Sequence, residues 1–185
     1  MPVSRPGTIT LADVRAHDSD ESVTVASIYA LWEKPSEGSW ILADASAHRL
    51  ISDLSWLIGR QNGHRIIAAG DLNLLRGYGE NGRAYWKRRY QTVFDRFDAI
   101  GIPFVGPLLP HGHPVVDKPS ELPDGHDGVP TFRPRPSDPA SATRQLDYVF
   151  ASTTLVPRLA VRALNGPEEW GPSDHCRVSI DVARS

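Results

Sequence analysis

The order of apolar patterns along residues 22–100 is the feature that most constrains the fold of this chain. Residues 22–29, SVTVASIY, are largely apolar and β-branched, as in a strand that is covered on both faces. Between about residues 40 and 58, apolar residues recur at three- and four-residue steps, which predicts a helix. A second apolar strand at 64–70, HRIIAAG, and a second helical stripe at 86–100 follow. Strand, helix, strand and helix in this order predict an α/β fold.

The second half of the chain predicts more strands after a long loop. Residues 106–140 are rich in Pro, Gly, His and Asp and show no periodicity, which is typical of a functional loop. The segments 144–152 and 158–164 have the composition of strands, and residues 176–182 alternate apolar and polar side chains. Because no linker interrupts the pattern, we expect a single domain over residues 1–185 with at least five strands and two long helices.

Composition and net charge restrict the possible functions of the chain more than they restrict its possible folds. The formal net charge of −2 gives no general attraction to nucleic acid, so phosphate binding would depend on a local cluster of arginine and lysine. The single cysteine, Cys176, excludes an intramolecular disulfide. Residues 1–14 lack the apolar region of a signal peptide, and no segment approaches the roughly 18 apolar residues of a membrane span. We therefore expect a cytoplasmic protein without a membrane span.

Polar side chains stand at three places where predicted strands begin or end. Asp71 and Asn73 in GDLN are either turn formers or groups that a strand delivers to a reaction site. Asp147 in QLDYVF is a carboxylate inside a strand predicted to be buried, where it needs a partner. Asp174 and His175 in GPSDH form either a turn or helix cap, or part of an acid–base or metal site.

Taken in order, these segments resemble the endonuclease/exonuclease/phosphatase superfamily. The resemblance rests on AAGDLN, RQLDYVFAS and PSDHCRVSIDV, with TVASIYALWE before them and PTFRP between the first two. It implies a deoxyribonuclease-like αββα fold, a two-sheet sandwich with helices outside. It also implies metal-dependent hydrolysis of a phosphodiester or phosphomonoester, in the manner of a nuclease or a phosphatase, and does not fix the substrate.

The resemblance also implies roles for individual catalytic residues. His175 matches the imidazole that activates the attacking water or stabilises charge on the phosphorus centre, and Asp147 matches the carboxylate that orients it. Asp71 matches the aspartate that handles the proton of the water or of the leaving group. These types agree with phosphoryl transfer, which requires charge neutralisation, positioning and proton handling.

Further residues are implied to bind the substrate and the metal. Asn73 matches an amide that bonds a phosphate oxygen, and Tyr29 stands where relatives place a phosphate-contacting Tyr or His. Asp174 matches a carboxylate ligand of Mg²⁺, with Mn²⁺ as the alternative ion. Arg133, Arg135 and Arg144 flank the predicted loop and the strand of Asp147, so they are either substrate-phosphate ligands or solvated surface residues. The implied partner is a phosphoester substrate, with nucleic acid among the choices.

The N-terminal part of the chain departs from the family. The family has an early strand that ends in Asn and another that ends in the Glu that is a principal magnesium ligand. The first match of this chain, RPGTITLADV, corresponds to the middle of the family fold. We therefore expect an N-terminally incomplete sandwich with a weakened magnesium site and an open sheet edge that favours self-association. The alternative is a catalytically inactive remnant or a partner-dependent subunit of this fold.

Two other patterns in the sequence give weaker evidence about function. GYGENG at 77–82 matches G-x-G-x-x-G, but it does not form the tight turn directly after a strand that a dinucleotide requires, so a loop is favoured over a cofactor-dependent oxidoreductase. Trp32 follows Tyr29 by three residues, where some nuclease relatives have a polar contact to substrate. A DNA substrate therefore does not follow from the resemblance.

Overall fold

A computed structural model describes residues 3–15, 17, 20–33, 42–59 and 63–184. These residues form strands β1 (Ile9–Arg15), β2 (Ser22–Tyr29), β3 (Ile66–Asp71), β4 (Phe104–Gly106), β5 (Asp147–Ala151), β6 (Leu159–Leu164) and β7 (Arg177–Val182), and helices α1 (Ala43–Ile58) and α2 (Ala84–Ala99). Short 3-10 turns occupy Glu80–Gly82, Pro139–Ser141 and Val156–Arg158. In the part of the chain described, no helix combines the length and the apolar character that crossing a membrane requires.

The larger of two sheets brings three strand ends to one edge. Its strand order is β1-β2-β3-β5-β4, and β6 pairs with β7 in a separate sheet. β2 and β3 are parallel, since α1 carries the chain back between them, whereas β5 runs antiparallel to β3. The carboxyl ends of β2 and β3 therefore lie beside the amino end of β5, at the edge where the sequence places its polar residues.

The two faces of the larger sheet are covered differently. On one face, α1 and α2 pack over β2, β3 and β5 and bury the largest apolar cluster, which includes Ala26, Leu50, Ala68, Phe97 and Phe150. On the other face, the two-stranded sheet covers β3 and β5 with a second cluster, which includes Ile67, Val149, Val161, Val178 and Ile180. Helices, large sheet and small sheet thus form successive layers, and the predicted α/β two-sheet sandwich is confirmed.

Most predicted elements are found, and the differences have local causes. The sequence patterns do not predict β1 or β4. Most of β1 is exposed, so its side chains show no apolar period, and β4 has only 3 residues. The alternation over residues 176–182 predicts that Val182 points inward, but Val182 is 40% exposed at the end of β7. Trp40, at the start of the predicted first helix, lies outside the described residues.

Candidate active site

Three side chains form a row across the edge of the larger sheet. Tyr29 lies opposite Asp71 in the pairing of β2 with β3, and Asp71 lies opposite Asp147 in the pairing of β3 with β5. Opposed residues on paired strands point to the same face of the sheet. The side chains of Asp71 and Asp147 are each 15% exposed, whereas Tyr29 is 39% exposed. The pairing thus holds two carboxylates together in a partly desolvated place.

His175 lies between these two carboxylates. Its Nδ1 atom donates a hydrogen bond to Oδ2 of Asp147 over 2.8 Å. Its Nε2 atom lies 3.9 Å from Oδ2 of Asp71. The ring also packs against Phe132, with 5.1 Å between the ring centroids. Asp147 therefore has the partner that its buried position requires, and the second nitrogen of the imidazole is directed toward Asp71.

The surroundings of Asp71 and His175 raise the pKa of both groups. The hydrogen bond with Asp147 raises the pKa of His175 and outweighs the opposing effect of burial. Burial, and then the negative charge of Asp147, raises the pKa of Asp71 to about 7. Proton transfer in catalysis is most efficient when the pKa of the group lies near the working pH. Asp71 thus suits acid–base chemistry near neutral pH, while the raised pKa of His175 favours its charged form.

The GDLN segment forms a turn as well as part of this site. The backbone N–H of Asn73 donates to Oδ1 of Asp71 over 2.7 Å, which is the local bond of an Asx turn. Asn73 has a φ of 52°, a left-handed conformation that asparagine tolerates better than most residues. Its side chain donates to the backbone oxygen of Ala30 over 3.0 Å. The turn therefore fixes one oxygen of Asp71 and ties the end of β3 to the end of β2.

The PSDH segment presents His175 from a second turn. The hydroxyl of Ser173 accepts a hydrogen bond from the backbone N–H of His175 over 3.1 Å, and the indole of Trp170 donates to the backbone oxygen of Ser173 over 3.0 Å. The side chain of Asp174 is 41% exposed and lies 3.4 Å from Arg135. Its own backbone N–H and the charge of Arg135 lower the pKa of Asp174. Asp174 is thus an accessible, ionised carboxylate beside the imidazole.

Thr131 joins the two halves of the site, and the sequence does not predict its role. Its side chain is fully buried, and its hydroxyl accepts hydrogen bonds from the backbone N–H groups of Leu146 and Asp147, each over 3.0 Å. Its backbone oxygen accepts from the N–H of Cys176 over 2.9 Å. Thr131 therefore links the start of β5 to the segment that carries His175. The only signal in the sequence is its place in PTFRP.

Two of the three predicted phosphate-binding arginines, Arg133 and Arg144, are engaged with protein groups. Arg133 donates to the backbone oxygen atoms of Ser137 and Ser173 and lies over the ring of Trp170, 5.8 Å from its centroid. Arg144 pairs with Glu80 at 3.1 Å and with Glu121 at 3.4 Å. By contrast, Arg135 beside Asp174 is 63% exposed. Of the three arginines in this region, Arg135 has the guanidinium that a substrate reaches most easily.

Solved structures share this arrangement of strands and helices. No protein-family model matches the sequence, and no curated protein sequence matches it. The endonuclease domain of TRAS1, a telomere-specific non-LTR retrotransposon, is similar with a TM-score of 0.58 and 13% identity, over 95% of this chain and 63% of that one. The 3′ phosphatase NExo from Neisseria, bound to a product DNA hairpin, is similar with a TM-score of 0.54 and 14% identity, over 97% of this chain and 72% of that one. The chain has the deoxyribonuclease-like endonuclease/exonuclease/phosphatase fold.

The same fold relates the chain to an AP endonuclease from Archaeoglobus fulgidus, with a TM-score of 0.54 and 15% identity over 86% of this chain and 61% of that one. At these identities the likeness establishes the fold, and the chemistry rests on the residues themselves. The chain spans 63% of the length of the TRAS1 domain.

The site also fits the divalent cation that the deoxyribonuclease-like fold implies, with few protein ligands. The described residues contain no group of three or more His, Cys, Asp or Glu side chains arranged to hold a metal ion. Mg²⁺ usually needs only one or two carboxylates and completes its shell with waters and substrate oxygens. Asp174 meets this need, because its low pKa keeps it ionised and its pairing with Arg135 is long and exposed, hence weak.

Proposed function

We propose that this chain is a metal-dependent phosphoester hydrolase that acts on nucleic acid. The observation that carries the proposal is the position of His175, bonded to Asp147 over 2.8 Å and 3.9 Å from Asp71. Structural neighbours with the same fold are named as nucleases and a phosphatase, which supports hydrolysis of a P–O bond.

Each member of this trio has a distinct proposed role. Asp147 holds the ring of His175 through Nδ1 and favours its charged form, so that Nε2–H can stabilise negative charge on an oxygen of the phosphoryl group. Asp71, with a pKa of about 7, accepts the proton of the attacking water. The separation of 3.9 Å between Asp71 Oδ2 and His175 Nε2 leaves both atoms able to contact one bound oxygen.

The proposed step adds one water molecule across the ester bond. The oxygen of water forms the new bond to phosphorus, and its proton moves to the carboxylate of Asp71. The bond from phosphorus to the ester oxygen breaks, and that oxygen leaves with the electron pair and takes a proton from solvent. Asp71 then returns its proton to solvent, so the chain is unchanged after the cycle.

Metal and phosphate contacts complete the proposal. Asp174 would hold Mg²⁺ or Mn²⁺, which supplies positive charge that neutralises the phosphoryl oxygens. We assign a phosphate contact to Arg135, because it is 63% exposed and lies beside Asp174. Tyr29, exposed at the end of β2, contributes a further polar contact. Asn73 is 8% exposed and supports the site through its bond to Ala30, while Arg133 and Arg144 support the surrounding loops through their pairings.

Hydrolysis of supercoiled DNA and of a small phosphodiester by the full chain tests the proposal, with Mg²⁺ titrated and EDTA as the blank. We expect His175→Gln and Asp71→Asn to lower turnover by about 1,000-fold or more, since each removes a group that acts on the reacting atoms. Asp181→Asn, a change of the same kind at an exposed position on β7, is the matched control and should keep full activity.

The outcomes separate three cases. Turnover that requires Mg²⁺ and is lost in both site variants supports the hydrolase. Turnover that is equal in wild type and His175→Gln contradicts the proposal and points to a contaminating nuclease. A folded wild-type chain that has no turnover at any Mg²⁺ concentration supports the alternative, an inactive remnant or a partner-dependent subunit.

A further inference from the structure

Two exposed aromatic side chains follow the end of β2 beside the proposed catalytic row. Tyr29 is 39% exposed and belongs to the row itself, while Trp32, three residues further on, is 52% exposed. Three residues of chain span at most about 10 Å. Tryptophan is usually highly buried on average. The indole of Trp32 is therefore exposed to solvent, at a distance from the proposed catalytic row that one or two nucleotides can span.

The backbone that carries Trp32 is anchored on the side of the site. The N–H of Ala30 donates to the backbone oxygen of Asp71 over 2.8 Å, and the N–H of Leu31 donates to the hydroxyl of Ser46 over 2.9 Å. Both Ala30 and Ser46 are buried. The position of Trp32 relative to Asp71 is therefore set by hydrogen bonds to β3 and to the start of α1.

Two partly exposed arginine side chains pair with the residue that follows Trp32. This residue, Glu33, is only 13% exposed and pairs with Arg49 and, at 3.6 Å, with Arg5. The side chains of Arg5 and Arg49 are 45% and 48% exposed. Glu33 supplies one negative charge, and Asp53, whose carboxylate accepts hydrogen bonds from Ser4 beside Arg5, supplies a second. Because both arginines are partly exposed, each guanidinium retains exposed donors for an anionic ligand.

From this juxtaposition we infer that the segment after β2 is a nucleotide subsite, in which a base stacks on Trp32 and the adjoining phosphate binds Arg5 and Arg49. The inference rests on the proposed function and names its substrate: a phosphoester with a base close to the scissile phosphate, as in single-stranded nucleic acid. Aromatic platforms combined with basic side chains are the usual means of binding single strands without reading their sequence.

The surroundings of Trp32 favour a base over a lipid surface. A membrane-inserting region presents a continuous apolar area flanked by basic residues. Among the described residues, the indole is followed directly by the ion-paired Glu33 and its two arginines, so charged groups come next to the ring in the chain. A planar ring with charge at its border suits a nucleotide.

Binding of two oligomers of equal length tests the subsite: a single-stranded oligothymidylate and a chain of abasic sugar phosphates. Both are measured with the full chain in EDTA, which prevents hydrolysis. We expect Trp32→Ala to weaken binding of oligothymidylate by about tenfold and to leave the abasic chain unchanged, since only the stacked base is lost. Trp32→Phe should restore much of the affinity. Trp56→Ala is the matched control, because Trp56 is 50% exposed but lies near the far end of α1.

The arginines have a different expected signature. Arg5→Gln and Arg49→Gln should weaken both oligomers to the same extent and reduce the dependence of affinity on salt, because they bind phosphate and not the base. With Mg²⁺ present, Trp32→Ala should raise KM for oligothymidylate while kcat stays near the wild-type value.

Each outcome bears on one of the two proposals. The stacking role is overturned if Trp32→Ala weakens binding of both oligomers equally or weakens binding of neither. It is also overturned if Trp32→Ala loses binding to phosphatidylcholine vesicles while it still binds both oligomers as wild type does. If wild type hydrolyses the abasic chain but Trp32→Ala binds oligothymidylate normally, the hydrolase stands and the subsite is wrong. If wild type hydrolyses neither oligomer yet binds them with the expected difference, the subsite stands and the hydrolase is wrong.

Discussion

The Nε2 atom of His175 lies 3.9 Å from Oδ2 of Asp71. This distance is too long for a direct hydrogen bond and suits two groups that share a water molecule or a phosphoryl oxygen. The separation does not depend on free rotation of long side chains. Asp71 is fixed by the turn to Asn73 and by its strand pairing, and His175 is fixed by its bond to Asp147. The fold thus sets the spacing of the two groups.

Replacing Asp147 by Asn should lower the pKa of His175 and lower kcat. The hydrogen bond to the carboxylate is the largest cause of the raised pKa, and a neutral amide does not favour the imidazolium. We expect kcat to fall by about 100-fold or more, because the ring loses the carboxylate that orients it and favours its charged form. NMR titration of the histidine ring protons in Mg²⁺-free buffer measures the pKa. His126, in the loop after β4, is the internal reference and should titrate as in wild type.

Asp71→Asn should stabilise the fold above neutral pH while it removes activity. The pKa of Asp71 is about 7 in the folded chain and near 3.8 when unperturbed, so between these values the folded state binds more protons than the unfolded state. Its contribution to stability therefore falls as pH rises from about 4 to 7. Asparagine removes this cost and still accepts the turn bond. We expect a gain of up to about 4 kcal/mol in the free energy of unfolding at pH 8 that shrinks toward pH 4.

Urea denaturation in EDTA at pH 5 and pH 8 measures this difference. Asp174→Asn is the control of opposite sign. The pKa of Asp174 is lowered, so its carboxylate favours folding above its unfolded pKa and loses that effect as pH falls. Its replacement should therefore give no gain at pH 8. A loss of stability in Asp71→Asn that is the same at both pH values would show that folding does not raise the pKa of Asp71.

Much of this site follows from residue types in the sequence. The apolar runs of β2 and β3 predict buried strands, and a carboxylate at position 147 within such a strand predicts a nearby partner, which His175 provides. The sequence leaves Asp71 and Asn73 as either turn formers or groups of a reaction site, and the structure shows why the two alternatives are hard to separate. The turn is formed, and it is the turn that holds Asp71 in the row with Asp147.

Other features of the structure depend on contacts between segments that are far apart in the sequence. The periodicity of apolar residues does not predict such contacts. Thr131 is a buried acceptor only because its segment lies between the start of β5 and the segment of His175. From the sequence, Arg144 is a candidate for binding a substrate phosphate. In the structure it pairs with Glu80 and Glu121, which are far from it in the sequence. Strand β1 is recognised by its pairing with β2, since most of its residues are exposed.

Gly70→Ala should prevent or severely weaken folding. A Cβ atom at this position would lie 1.9 Å from the backbone oxygen of Ile28, so β2 and β3 would have to separate next to the row of Tyr29, Asp71 and Asp147. We expect a loss of more than about 3 kcal/mol or insoluble protein. Gly125→Ala is the matched control, since Gly125 also has positive φ, at +70°, but nothing lies within 4 Å of its Cβ position. It should lose only about 1–2 kcal/mol; similar losses in the two variants would contradict the steric explanation.

Thr131→Val should weaken both the fold and catalysis, whereas Thr131→Ser should restore both. Valine keeps the shape of threonine but removes the acceptor for the N–H groups of Leu146 and Asp147 in a fully buried place. Two unsatisfied donors cost about 2–4 kcal/mol. Hydrogen exchange of these two amides should become faster in the valine variant, and kcat should fall because the start of β5 carries Asp147. Slow exchange and normal kcat in Thr131→Val would mean that another group accepts these bonds and that Thr131 does not position Asp147.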